Sequence, residues 1–127
     1  MSNYTQMKTP LAKAKNLGAG GGTHHWWMQR LTAIIMIPLV FWLVYFIYSV
    51  SGQDAEQVMQ TLHKPYNLVC AMLFLMVGLY HGLLGMQVVI EDYVSSLPAR
   101  YFLIISIKIF TLITVLSGTV ALFMLIK

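Results

Sequence analysis

His81 lies in an otherwise apolar stretch long enough to cross a membrane, with Asp92 and Tyr93 eleven and twelve positions after it. A histidine supplies a metal-ligating nitrogen. A phenol beside a carboxylate supplies a hydrogen-bond donor next to a proton relay. An ionisable side chain inside a bilayer span is costly and rarely idle. A helix rises about 1.5 Å per residue, so His81 to Asp92 covers roughly 16 Å, about half of a ~30 Å hydrocarbon core. With Asp92 and Tyr93 at the membrane surface, His81 stands near the midplane. One helix then offers a buried imidazole and a polar pair at the interface, the geometry that an integral-membrane redox subunit needs.

Gly78 precedes His81 by three positions and Gly85 follows it by four, which places all three on one helix face. Small residues above and below a histidine clear space for a flat macrocycle, with the imidazole as axial ligand to a haem iron. The same pattern serves a neutral histidine hydrogen-bonded across a helix interface, with glycines for close packing. The residues alone leave both readings open. His24, His25 and His63 are placed near membrane surfaces, about half a bilayer from His81. A six-coordinate haem therefore takes its other ligand from a partner chain.

Tyr93 at the interface suits a hydrogen bond to a quinone carbonyl, with Asp92 orienting it or relaying a proton. A tyrosine of the interfacial belt beside a helix-end acid is the plainer alternative. In the segment from His24 to Ala33, Trp26 and Trp27 read as interface anchors. Arg30, expected at the membrane surface, suits an anion such as a haem propionate or a lipid phosphate, and equally a topology-setting cation. Thr32 is expected to satisfy its own helix backbone.

The elements that must position these residues are legible in the hydropathy. The chain has 127 residues, 58% of them hydrophobic and 9% charged, and a mean hydropathy of +0.72. Soluble domains carry about 25% charged residues, so this composition describes an integral membrane protein of one small domain. The net charge of +4 is no sign of nucleic-acid binding, because Lys8, Lys13, Lys15 and Arg30 all precede the first apolar run. Cys70 alone forms no internal disulfide and holds no iron–sulfur cluster; it reads as a buried small residue.

Residues 1–22 read as a glycine-rich arm, flexible or ordered by a partner. Residues 23–127 read as an all-α domain of three transmembrane helices at about 31–50, 66–90 and 101–126. Thr23 is the expected N-cap of the first. Pro38 is expected to bend that helix, Ser51-Gly52-Gln53 to end it, and residues 55–63 to form a turn or two of surface helix. Pro65 introduces the second span, and Ser96 with Pro98 marks the start of the third. The excess of Lys and Arg on one side places the N-terminus and Asp92-Tyr93 on the cytoplasmic or matrix side. Lys108 is expected to snorkel towards that side. Three helices bury little of their own surface, so packing against another membrane subunit is expected.

Two motifs carry a family resemblance: Arg30-Leu31-Thr32-Ala33 in the segment entering the membrane, and His81-Gly82-x-x-Gly85-Met86-x-x-Val89-x-x-Asp92-Tyr93. With three spans in matching order, they make the chain resemble the small hydrophobic membrane-anchor subunits of succinate dehydrogenase, in their alphaproteobacterial or mitochondrial form. The resemblance implies an inner-membrane subunit, not catalytic alone, that pairs with a second hydrophobic anchor subunit of cytochrome b556 type. It implies one haem b shared between the two anchors, with His81 as this chain's ligand. Tyr93 and Asp92 then line a ubiquinone site, and Arg30 and His24 lie near the haem propionates. A flavoprotein subunit and an iron–sulfur subunit complete the complex. Fumarate reductase anchors share the architecture. A cofactor-free scaffold or small transporter is the remaining alternative.

Overall fold

The computed structural model describes the backbone of residues 10–126 and the side chains of residues 24–126. It contains four helices, α1 Pro10–Val50, α2 Ala55–Leu62, α3 Pro65–Tyr93 and α4 Leu97–Leu125. There is no strand among the described residues. Three segments are long and apolar enough to cross a membrane: His24–Val50 within α1, then α3 and α4. The all-α expectation of three spans is therefore met, with each span somewhat longer than the hydropathy alone outlined.

One expected boundary is corrected. Thr23 does not cap the first helix, because α1 begins at Pro10 and runs through Thr23 into the span. Pro10 stands at the first helical position, which its fixed φ favours. Ala12, Lys13, Ala14, Lys15 and Leu17 are good helix formers. Each of the following glycines costs only about 1 kcal/mol relative to Ala, and no proline interrupts before Pro38. Of the expected arm, residues 10–22 are helical, while residues 1–9, with Lys8, lie outside the described residues, as does Lys127. The helix also continues through Pro38.

The connections follow local chemistry. Gly52 adopts φ +80° after α1, a left-handed conformation that glycine takes without a side-chain clash. Asp54 caps α2: its carboxylate accepts from Gln57 N at 2.9 Å while the Gln57 side chain returns to the Asp54 backbone, a reciprocal capping box. Pro65 opens α3, and Pro98 lies in the first turn of α4. Arg100 donates through Nε and Nη2 to the carbonyl of Val94 at 3.0 and 2.8 Å. That fork closes the short α3–α4 connection directly after Tyr93. The His63 ring meets the carbonyl of Leu125, tying the end of α2 to the end of α4.

In packing, α3 is central: it lies against both α1 and α4, which make little contact with each other. The chain buries little of its own apolar surface. Among the described residues the buried apolar ones are Leu39, Leu84 and Ile90, whereas Phe41, Tyr48, Phe110 and many other large apolar side chains stay exposed. Such a surface is stable only against lipid or another hydrophobic subunit. Where α3 and α4 cross, a Cβ on Gly118 would come within 2.7 Å of Leu75 Cδ2, so a small residue permits the close approach.

Asn67 is the most buried polar residue among those described, 2% exposed. It accepts from Trp42 Nε1 at 2.9 Å and donates to the Thr61 carbonyl at 2.7 Å, joining α1, α2 and α3. Asn67→Leu strands the Trp42 indole N–H, a cost of about 1–3 kcal/mol for a buried group left unpaired, while the Thr61 carbonyl keeps its bond from the Lys64 backbone N–H at 3.4 Å. A lower unfolding midpoint of the detergent-solubilised complex is expected. An unchanged midpoint would show that the network adds nothing to stability.

Candidate functional site

Antiparallel packing of α1 on α3 brings the two sequence motifs together. Gln29 lies by Gly85, Thr32 by His81 and Met36 by Gly78, each step one turn along the interface. In this register, residues before Thr32 on α1 and after His81 on α3 lie towards the same end of the bundle.

His81 is half-buried. Its Nδ1 lies 2.8 Å from Thr32 Oγ1. Thr32, 5% exposed, also places Oγ1 at 2.8 Å from the Met28 carbonyl and 3.0 Å from the Gln29 carbonyl. The expected bond of Thr32 to its own helix is present, and a second, to His81, accompanies it. The other ring nitrogen, Nε2, makes no hydrogen bond. Nor is it sealed inside the chain: the enclosed, unpartnered side-chain polar atoms among the described residues are His25 Nε2 and Thr119 Oγ1. His81 thus has one nitrogen held by its own chain and one open to whatever packs on it.

Gly78 and Gly85, read from the sequence as clearance for a macrocycle, face α1. A Cβ on Gly78 would meet Met36 at 3.6 Å, and one on Gly85 would meet Gln29 Nε2 at 3.8 Å. Both positions serve the contact of α1 with α3. The open glycine beside the histidine is Gly82, where a Cβ would meet nothing within 4 Å.

Arg30 is exposed, with its guanidinium carbon 5.4 Å from the Trp26 ring centroid. Trp26 and Trp27 form an edge-to-face pair at 5.2 Å. The sequence places Arg30 at the membrane surface. Two residues before Thr32 on α1, it lies about 3 Å along the axis from Thr32 and is turned about 200° around the helix from it. His24 is exposed and stands about 12 Å along the same axis, eight residues before Thr32. Neither Arg30 nor His24 hydrogen-bonds His81, whose partner on α1 is Thr32. His25 has a role in neither motif.

Asp92 and Tyr93 form the last turn of α3, exposed side by side, with Tyr93 84% exposed. Neither side chain has a hydrogen-bond partner among the described residues. Twelve residues of helix separate Tyr93 from His81, about 18 Å. The two candidate centres are therefore distinct positions on one rigid element. Both face outwards from this chain, so each needs a neighbour to complete it. Among the described residues no cluster of three or more His, Cys, Asp or Glu side chains is placed to hold a metal ion. Haem iron is held differently, by a single protein atom on each axial side. Lys108 is exposed on α4 and Cys70 is a half-buried free thiol; neither joins these centres.

Three membrane-length helices that leave most of their large apolar side chains exposed define a multi-pass membrane subunit. Over residues 5–118 the chain matches the family of succinate dehydrogenase/fumarate reductase transmembrane subunits, and it belongs to that family. It is 42% identical over 117 residues to a succinate dehydrogenase hydrophobic membrane anchor subunit of Rickettsia bellii, covering 91% of this chain and 94% of the relative. A succinate dehydrogenase membrane anchor subunit of Reclinomonas americana is 32% identical over 91 residues, 69% of this chain and 76% of the relative. The Paracoccus denitrificans anchor subunit is 27% identical over 100 residues, 78% of each chain. The chain is thus a multi-pass inner-membrane protein, bacterial or mitochondrial, and an anchor subunit works in a complex with other subunits.

Proposed function

We propose that this chain anchors a succinate:ubiquinone oxidoreductase, contributes one axial ligand to a haem b, and forms part of the site where ubiquinone is reduced. The observation that carries this reading is the arrangement on α3. His81 has Nδ1 held by Thr32 and Nε2 open, and the exposed Asp92-Tyr93 pair ends the same helix.

His81 fits a haem by its donor chemistry: a neutral imidazole with a free outward nitrogen, beside the open surface of Gly82. The second ligand comes from the partner anchor subunit, since His24, His25 and His63 do not share the His81 level. Arg30 pairs with a propionate, and His24 lies farther along α1. When bound, the haem supplies a one-electron carrier within the apolar layer.

Ubiquinone is reduced by two electrons and two protons, both carbonyl oxygens becoming hydroxyls. The electrons come from the iron–sulfur subunit, which receives them from succinate oxidation in the flavoprotein subunit. Tyr93 donates its O–H to one quinone carbonyl and stabilises the negative charge that gathers there as electrons arrive. Asp92 passes protons from the aqueous phase to the reduced ring. Arg100 holds the turn behind Tyr93 through its fork on Val94. The excess of basic residues puts this end on the cytoplasmic or matrix side, where the soluble subunits dock. The names of the relatives support succinate oxidation over fumarate reduction.

The test is to solubilise membranes of the source organism, capture this chain by an affinity tag, and assay succinate-dependent ubiquinone reduction. Retention of that activity with the tagged chain is expected. Activity left in the flow-through would contradict the proposal, and preferential fumarate reduction by a low-potential quinol would move the reading to a fumarate reductase anchor.

A further inference from the structure

We infer that Thr32 is a positioning residue for the His81 ligand: its hydroxyl holds the imidazole with the proton on Nδ1, so that Nε2 presents its lone pair outwards. The inference rests on the haem-ligation reading above and adds a role for Thr32 that neither the spacing of the motif nor the resemblance assigns.

A count of protons decides the direction of the bond. Thr32 Oγ1 has three short contacts: the Met28 carbonyl at 2.8 Å, the Gln29 carbonyl at 3.0 Å and His81 Nδ1 at 2.8 Å. A hydroxyl has one proton to donate and two lone pairs that accept. Carbonyl oxygens only accept, so the Thr32 proton must serve Met28 or be shared with Gln29. Oγ1 then accepts, and the Nδ1–H of His81 is the donor that faces it. In the opposite tautomer the Thr32 proton points at Nδ1, and Oγ1 is left 2.8 and 3.0 Å from two carbonyl oxygens with no proton between them. At 5% exposure Thr32 has no water with which to relieve that repulsion. The backbone of α1 thereby fixes the hydroxyl, and the hydroxyl fixes the tautomer.

The consequence for a bound haem is electronic as well as steric. An imidazole that donates its far N–H is a more basic ligand and stays in one ring orientation. It favours the oxidised metal and lowers the reduction potential. Gln29 by Gly85 and Met36 by Gly78 keep α1 in register, so the hydroxyl stays opposite Nδ1.

The test uses the intact complex, purified with its partner subunits, carrying Thr32→Val, Thr32→Ala, Thr32→Ser or His81→Ala. The readouts are haem content, the haem midpoint potential and the low-spin ferric signal in electron paramagnetic resonance. Thr32→Val is close in volume and lacks the hydroxyl. It is expected to raise the midpoint and shift the ferric signal, with Thr32→Ala doing the same and Thr32→Ser staying near wild type. Haem lost from the Val and Ala variants but retained with Ser also supports the hydroxyl. Wild-type potential and signal in Thr32→Val, while His81→Ala disturbs both, would overturn the role of Thr32 and leave the ligation standing. Equal damage in Val, Ala and Ser would also overturn it, by showing that side-chain packing rather than the hydroxyl matters. A wild-type haem signal in His81→Ala would remove the ligation reading itself.

Discussion

Tyr93→Phe is expected to slow succinate:ubiquinone reduction by about 10²-fold, the low end for removing one preorganised donor from a site of developing negative charge. The same variant should oxidise succinate with an artificial dye at the wild-type rate, because the dye takes electrons before they reach the membrane. The separation is sharp because Tyr93 does little for the fold. It is 84% exposed at the end of α3, and its hydroxyl has no partner among the described residues. Losing it leaves no buried group unpaired in this chain, so assembly and stability should be unchanged. Parallel assays with ubiquinone and with dye on one purified preparation check this. Equal rates for variant and wild type in both assays would place Tyr93 outside the quinone site and return it to the interfacial belt.

His81→Ala is expected to abolish the six-coordinate low-spin haem spectrum, leaving either a five-coordinate haem on the partner's ligand or a complex without haem. The variant removes the imidazole from the span of α3 and leaves the Thr32 hydroxyl bonded only to its own helix carbonyls, without the donor it accepted from. Unlike Tyr93, His81 is half-buried between α1 and α3. Some destabilisation therefore accompanies the spectral change, of the order of 1–3 kcal/mol for deleting one partner of a buried interhelical hydrogen bond. Optical and electron paramagnetic resonance spectra of the purified variant check it.

Much of this site is legible in the sequence, and the limits have a physical cause. His81, Asp92 and Tyr93 share one helix, and a helix has a fixed rise, so their separation follows from counting. The three spans follow from hydropathy, and Pro65, Ser96 and Pro98 mark helix starts. What counting along a chain does not supply is the rotation of one helix against another. Gly78 and Gly85 share a face with His81 as the spacing requires, but which neighbour that face meets depends on how α1 packs. It meets Met36 and Gln29 of the same chain. The Thr32–His81 bond, across 49 positions, depends on the same packing. Asn67 carries a signal of its own, a lone amide in an apolar run, since polar groups in spans mark buried contacts. Arg100 reads from the sequence only as a topology charge, although an arginine following a short connection has carbonyls within reach. The start of α1 at Pro10 is hidden because four glycines obscure a helix that good helix formers on their N-terminal side sustain.

The central claim is that this chain places a haem ligand and a quinone donor within a succinate-oxidising complex. Its most direct test is a reduced-minus-oxidised optical spectrum of the native complex containing this chain, with succinate as the only reductant. A b-type haem band that succinate reduces is the expected result. No haem band in a preparation with all partner subunits present and active towards dyes would contradict it, leaving His81 as a packing residue of the α1–α3 interface.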